Sequence, residues 1–194
     1  MGTPKAPVSL LSGTRTRRRF LALVGGGLVA ASGAVAYVRT HGYALPEATR
    51  AKLESLNAWQ YIVVQHVARR VAAPDRDDAS IPTTDDTDVV GFVDGYVARV
   101  PAAVRCDLLR ALAFVEHMAP LGVGLVSRFT RLSAVDQDRV LASLESSSQD
   151  LLRGAFDGLK SLVFMGYYRD PRTWPILSYD GPLVNRPAAG WSRP

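Results

Sequence analysis

The side chains that could do chemistry in this chain are few and widely spaced. The three histidines, His41, His66 and His117, have neither a second histidine or cysteine at metal-site spacing nor a nucleophile beside them. The single cysteine, Cys106, lies in an apolar helical pattern, where we expect a small buried residue. These residues therefore predict neither a metal site nor a catalytic site.

Three other patterns resemble functional motifs only in composition. In the acid-rich stretch from Asp75, the sixth and twelfth positions hold Ser80 and Asp86, where an EF-hand requires Gly and Glu. The glycines at 25–27 do not follow a strand, and the serines at 146–148 lack the flanking glycines of a nucleophile elbow. No catalytic, cofactor-binding or metal-binding residue is assigned, and we expect the chain not to be an enzyme.

The positive charge of the chain is concentrated at its N-terminus. The 194 residues include 23 lysines and arginines and 18 acids, and six of the basic residues precede the first acid, Glu47. The other 17 basic residues nearly balance all 18 acids, so the folded part has no basic face that would attract phosphates. We therefore expect no nucleic-acid partner.

The N-terminal segment, residues 1–41, resembles a twin-arginine export signal. The residues that carry this pattern are Thr16, Arg17, Arg18, Phe20 and Leu21. Residues 21–38 carry no charge and include four glycines, which keep the segment only mildly hydrophobic. These 18 residues are also just long enough to span a bilayer, and Ala34-Val35-Ala36 would suit a signal peptidase. Cleavage and retention as a membrane anchor both stay open.

A twin-arginine signal has a consequence for the partners of the chain. As a property of that route, its passengers cross the membrane already folded, with a cofactor or a partner assembled in the cytoplasm. This chain shows no cofactor motif, so we expect another protein to travel with it. The segment itself implies contact with the twin-arginine translocase and the inner membrane.

Downstream of the signal, the apolar periodicity predicts only helices. Apolar residues recur at three- and four-residue steps, and no strand or hairpin pattern is present. The helices are predicted over 46–72, 89–100, 102–118, 121–132, 134–145 and 149–168. Asp85 and Asp88 are candidate caps for the second helix, Ser133 and Asp136 form a capping-box pattern, and the serines at 146–148 interrupt or kink the chain between the last two helices.

These elements predict an all-α fold with one folded domain. We expect an irregular bundle of about five or six helices over residues 42–182, with an extended aromatic tail after the last helix. Residues 183–194 are expected to form a separate C-terminal tail.

The segment from Gly166 to Pro182 is rich in aromatic residues, prolines and charges. Its candidate partner-docking residues are Tyr167, Tyr168, Arg169, Arg172, Trp174 and Tyr179. Tyrosine, tryptophan and arginine dominate the energetics of protein interfaces, but aromatic residues could equally cover an edge of the helix bundle. The physical reasoning favours neither the docking surface nor the structural lid. It disfavours catalysis, because the segment has no histidine, cysteine or lysine.

Two motifs resemble the gluconate 2-dehydrogenase subunit 3 family. One is R-F-x-x-L-S-x-x-x-Q-D at 128–138, and the other is G-Y-Y-x-D-P-x-T-W-x-x-x-x-Y-D-G-P at 166–182. The resemblance covers roughly residues 53–182 and is strongest at the second motif. Members of this family are the small, or gamma, subunits of membrane-associated flavin dehydrogenases.

The resemblance implies a set of partners. The catalytic partner would be a large FAD-dependent subunit of the glucose–methanol–choline class, often accompanied by a cytochrome c subunit. The small subunit would bind no flavin itself, support the folding of the large subunit and supply its export signal to the periplasm. The resemblance does not identify the substrate of the dehydrogenase complex. The alternative is a membrane-anchored periplasmic helical scaffold or binding protein without an enzyme partner.

Overall fold

All regular structure in the part of the chain described by the computed structural model, residues 42–72 and 80–182, is helical. The elements are α1 (Glu47–Arg50), α2 (Ala58–Val71), α3 (Val89–Arg99), α4 (Ala102–His117), α5 (Ala119–Gly122), a 3-10 turn (Phe129–Arg131), α6 (Ala134–Glu145), α7 (Asp150–Tyr168) and a C-terminal 3-10 helix (Pro171–Leu177). The predicted all-α class is confirmed for this part. Here no helix is both long and apolar enough to cross a membrane.

The predicted export-signal residues lie outside the described residues. These are Thr16, Arg17, Arg18, Phe20 and Leu21. The predicted C-terminal tail at 183–194 also lies outside them, as do residues 73–79 of the acid-rich loop.

Helix α7 is the centre of the packing. It contacts α2, α3, α4 and α6, and its buried face is a stripe at three- and four-residue steps. The buried residues of this stripe are Phe156, Leu159, Leu162, Val163, Gly166 and Tyr167. Opposite them, Val63, Val64 and Val67 of α2 are fully buried. Burying each such aliphatic side chain contributes about 1.5–3 kcal/mol, so this seam supplies much of the stability.

The first predicted helix, 46–72, is broken into α1 and α2. The break arises because the buried carboxylate of Asp94 on α3 accepts three backbone N–H groups that a continuous helix would use internally. The donors are Glu54, Ser55 and Leu56, at 2.7, 2.9 and 2.6 Å. Asn57 then caps α2 and forms a reciprocal capping box with Gln60.

The fourth predicted helix, 121–132, is mostly absent. The chain instead turns after α5, where Gly124 adopts a left-handed φ of 80°, and Arg128 is extended before the 3-10 turn. The Thr130 N–H donates to the Glu116 carboxylate at 3.1 Å, so it is not available for a helical hydrogen bond. Gly124 suits this turn, since only glycine adopts positive φ without steric cost.

The remaining boundaries agree with the sequence to within about two residues. Asp88 caps α3 and Ser133 caps α6, both as expected, and the serines at 146–148 separate α6 from α7. The expectation for Cys106 is wrong, because this residue is exposed. Nine residues separate it from the buried Val115, which at 3.6 residues per turn places it on the opposite side of α4.

Candidate functional site

The C-terminal motif is compact instead of extended, which corrects the predicted form of the aromatic tail. Residues Pro171–Leu177 form a 3-10 helix that packs back on α7. Asp170 caps its start by accepting the Arg172 N–H at 2.9 Å, and Pro171 and Pro175 fix the backbone. Ser178, at φ 52°, ends the helix in a left-handed turn.

One side of this segment is a structural lid. Tyr167 is buried, and its hydroxyl donates to the Pro82 carbonyl at 2.8 Å. Burial raises the pKa of the Tyr167 phenol. Thr173 is also buried and donates to the Asp170 carbonyl at 2.8 Å. The indole of Trp174, which is half-buried, donates to the Tyr168 carbonyl at 2.9 Å. Tyr167 therefore belongs to the core.

Close packing around Trp174 depends on a glycine. Gly181 has a φ of 101°, and a Cβ atom there would lie 3.0 Å from the Trp174 ring. The ring of Tyr179 meets Trp174 edge-on, with 5.1 Å between centroids. The end of the motif thus wraps around the tryptophan and holds it in one position.

The two arginines of the motif bind the chain's own backbone. The Arg169 guanidinium lies 5.2 Å from the Phe92 ring centroid and donates to the Thr87 carbonyl at 3.4 Å. Arg172 donates to the Asp86 carbonyl at 2.9 Å and to both carboxylate oxygens of Asp170. Both side chains therefore hold the turn before α3 against the C-terminal segment.

The Asp170 carboxylate is stabilised in its charged form by Arg172. Hydrogen bonds from the Arg172 side chain, and then from its N–H, lower the pKa of Asp170 to about 2. Arg172 is exposed to solvent, so the contribution of the pair to stability is screened. It acts chiefly to orient the start of the 3-10 helix.

The other side of the segment presents an apolar surface to solvent, which we call the tail surface. It consists of Ile176, Leu177 and Tyr179, and Leu177 is 54% exposed. Ile176 and Leu177 were missed by the sequence reasoning, which considered only aromatic and charged residues of this segment. The sequence did offer a signal for this surface. Two aliphatic residues follow Pro175 directly, at the end of a helix too short to bury both of its faces.

A second apolar surface is a groove between α4 and the first half of α7. It encloses about 740 Å³ and is lined mainly by Leu108, Phe114, Leu151, Leu152 and Phe156. Leu151, at 83% exposed, stands at this groove without a covering neighbour. The groove has the volume of a ligand pocket, but its charged side chains are held in ion pairs, as Asp107 is with Arg110.

A buried ionic cluster fixes the beginning of the domain. Glu116 is 0% exposed, and its carboxylate accepts the Tyr43 hydroxyl at 2.5 Å and the Thr130 hydroxyl at 2.8 Å. The buried Arg128 lies 3.9 Å from the same carboxylate and 4.4 Å from the Tyr43 ring centroid. Burial, followed by the hydrogen bond to Glu116, raises the pKa of the Tyr43 phenol. This cluster serves structure, and sequence reasoning did not assign it.

His41 lies outside the described residues, whereas His66 and His117 are half-buried in the helical domain. His66 is half-buried, and its Nδ1 lies 2.9 Å from the Gln137 amide, which also donates to the Phe129 carbonyl. Burial lowers the pKa of His66, which favours the neutral ring. Residues 42–72 and 80–182 contain no group of three or more His, Cys, Asp or Glu arranged to hold a metal ion.

Comparison with known proteins gives one match. A model of the gluconate 2-dehydrogenase subunit 3 family matches residues 58–181, which is more than half of the chain and ends within the C-terminal motif. No curated protein and no solved structure matches the chain. The family describes a subunit of a dehydrogenase, and the helical domain with its C-terminal 3-10 helix is the part that matches. This chain therefore belongs to the gluconate 2-dehydrogenase subunit 3 family.

Proposed function

We propose that this chain is the non-catalytic small subunit of a periplasmic, membrane-associated dehydrogenase. Its partner would be a large FAD-dependent subunit of the glucose–methanol–choline class, with a cytochrome c subunit as a further partner. The flavin would lie in the large subunit. The chain would bind that subunit, support its folding and escort it through the twin-arginine pathway. The observation that carries the proposal is the family match over residues 58–181.

The tail surface supports a docking role for the end of the motif. Ile176, Leu177 and Tyr179 are exposed, while Trp174 and Gly181 beneath them are held in close contact. A rigid apolar surface loses little conformational entropy when a partner covers it, which favours affinity. The buried Tyr167 would act through the fold, by positioning the 3-10 helix. The exposed edges of Tyr168, Arg169 and Arg172 would lie at the rim of the interface.

The export role rests on the sequence of the first 41 residues. Arg17 and Arg18 would be read by the translocase, and a large subunit without its own signal would be carried as a folded partner. A subunit that binds before export must itself fold independently of the membrane. The described residues support this, because they bury a continuous apolar core around α7.

Co-expression with the large flavoprotein subunit of the proposed complex tests the escort role. We expect flavoprotein activity in the periplasm only when this chain is present with Arg17 and Arg18 intact. A lysine pair at these positions should leave the complex in the cytoplasm, still assembled. A flavoprotein that reaches the periplasm fully active without this chain would refute the escort role. A chain that purifies alone, without any flavoprotein, would favour the membrane-anchored scaffold.

A matched pair of variants tests the docking surface. Leu177→Asp places a charge on the tail surface, and Leu151→Asp places one at the groove, with both positions exposed. We expect Leu177→Asp to abolish co-purification of the large subunit, since a buried unpaired charge at an interface is costly. Leu151→Asp should leave co-purification unchanged. The reverse result would assign the partner to the groove and contradict the role of the tail surface.

A further inference from the structure

A third exposed apolar surface lies between α4 and the 3-10 turn at Phe129–Arg131. We call residues 118–127 the apolar loop, because Met118, Leu121 and Val126 all point into solvent there. Val126 is 94% exposed, more than any other large apolar side chain of the described residues. Three exposed large apolar side chains within nine residues make this stretch a candidate contact surface.

The apolar loop is held in its shape by the fold. Glu116, just before the loop, joins it to Thr130, just after the loop, because its carboxylate accepts both the N–H and the hydroxyl of Thr130. Within the loop, the Leu125 N–H donates to the Pro120 carbonyl at 2.9 Å. The side chains are therefore displayed by a preformed turn, and covering them would not require the loop to become ordered first.

The position of the loop in the fold indicates what covers it. Tyr43, where the chain joins the folded domain, donates to the same Glu116 carboxylate that closes the base of the loop. Only four residues separate Tyr43 from the uncharged stretch 21–38, which is long enough to span a bilayer. The chain thus enters its folded domain directly at the base of the apolar loop.

The charges around the loop suit a lipid surface. No acid occurs between His117 and Asp136, a stretch that contains the whole loop and the start of α6. The exposed Arg131 follows the loop closely, where it could meet anionic headgroups. Apolar side chains flanked by a basic residue, without acids, are typical of segments that rest in a membrane interface. A protein partner would not require this absence of acids.

We propose that the apolar loop is a membrane-contacting surface of the folded domain, with Met118, Leu121 and Val126 resting among lipid headgroups and the upper acyl chains. The contact specifies the membrane association in the proposed function and rests on residues 21–38 staying in the bilayer, but it does not need a dehydrogenase partner. It would attach the domain in addition to the N-terminal segment and orient it, with the C-terminal end of α4 toward the bilayer.

Site-specific fluorescence in the full chain tests this contact. In a Cys106→Ser background, a single cysteine at Val126→Cys carries the environment-sensitive label NBD, and Leu151→Cys is the matched control. Both positions are exposed and apolar, but Leu151 lies in the first turn of α7 and lines the groove instead of the apolar loop. The labelled chains are reconstituted in vesicles of phosphatidylethanolamine and phosphatidylglycerol, and circular dichroism verifies that both are helical.

The expected result is a blue shift of the label at 126 and its quenching by nitroxide lipids, strongest for a nitroxide about 5–10 Å below the headgroup boundary. The label at 151 should keep the emission wavelength that it has in water and should not be quenched by the nitroxide lipids. Equal spectra at the two positions, whether both shifted or both unshifted, would overturn the proposal. A shift at 126 that needs the flavoprotein to be added would also overturn it, because the loop would then be a protein-docking surface.

Discussion

Glu116→Gln should destabilise the domain strongly, although the two side chains have nearly the same shape. The carboxylate is 0% exposed and lies 3.9 Å from the guanidinium of the buried Arg128. Gln removes one partner of this buried ion pair, which costs about 3–5 kcal/mol. In the wild type both hydroxyls, of Tyr43 and Thr130, donate to Oε1 and the Thr130 N–H donates to Oε2, so the NH2 group of Gln faces a donor in either orientation.

The assay is thermal unfolding of the purified chain, followed by circular dichroism. For a domain of this size, about 3–5 kcal/mol corresponds to a melting point lower by roughly 6–20 °C. Glu54→Gln is the matched control, because Glu54 is exposed and the substitution is chemically identical. That control should shift the melting point by no more than about 1–2 °C, the range for a surface substitution within 0.5 kcal/mol.

Two further variants separate the contributions within the cluster. Tyr43→Phe removes one hydrogen bond to the carboxylate and should cost about 1.5 kcal/mol. Adding Arg128→Met to Glu116→Gln also removes the other partner of the buried ion pair and should restore part of the lost stability. The reasoning is refuted if Glu116→Gln melts within error of Glu54→Gln, or if Arg128→Met makes the double variant less stable than Glu116→Gln alone.

Other substitutions test the packing and the C-terminal segment. Gly166→Ala should destabilise the domain by about 1–3 kcal/mol, because its Cβ would lie 3.0 Å from a ring carbon of Phe92 on α3. Gly158→Ala has open space around its Cβ and should stabilise the domain by up to about 1 kcal/mol. Effects of the same sign in urea unfolding would contradict this. Asp94→Asn should lower the free energy of unfolding by about 2–4 kcal/mol, because one amide oxygen cannot accept three N–H donors. An unchanged melting point would contradict this explanation of the break between α1 and α2. The pKa of Asp170 is lowered from 3.8 to about 2, so its favourable pairing is complete above pH 3.8 and is lost as pH falls toward 2. Tryptophan fluorescence should change in that window and not in Asp170→Asn, and identical titrations would disprove the role of the carboxylate.

The parts of the fold that were predictable from the sequence are those fixed by local interactions. The bounds of α6 and α7 follow from Ser133, from the serines at 146–148 and from Asp170-Pro171, all of which lie within a few residues of the helix ends they determine. The stripe of α7 was predictable because its period is a property of one helix.

The errors arose where distant residues compete for the backbone. The break between α1 and α2 depends on Asp94, which is 40 residues from Glu54 along the chain. The loss of the fourth predicted helix depends on Glu116, 14 residues before Thr130. Helical periodicity contains no information about such acceptors, since a buried carboxylate and a solvated one look alike in sequence.

The sequence identified the C-terminal segment, but it did not show which of its side chains are buried and which are exposed. The motif identified the C-terminal segment, while the division into the buried Tyr167 and the exposed Leu177 depends on how the 3-10 helix turns back on α7. That turn is set by Trp174 bonding to the Tyr168 carbonyl, and by Arg172 reaching the Asp86 carbonyl 86 residues away.

The bond between Tyr43 and Glu116 also sets the order in which the domain can be completed during synthesis. The two residues are 73 positions apart, and the Tyr167 hydroxyl bonds to Pro82 across 85 positions. The first residues of the domain leave the ribosome long before their partners exist, and α7, against which most helices pack, is translated after those helices. The domain therefore becomes native only after α7 has been translated, which leaves an interval in which its core is open to chaperones.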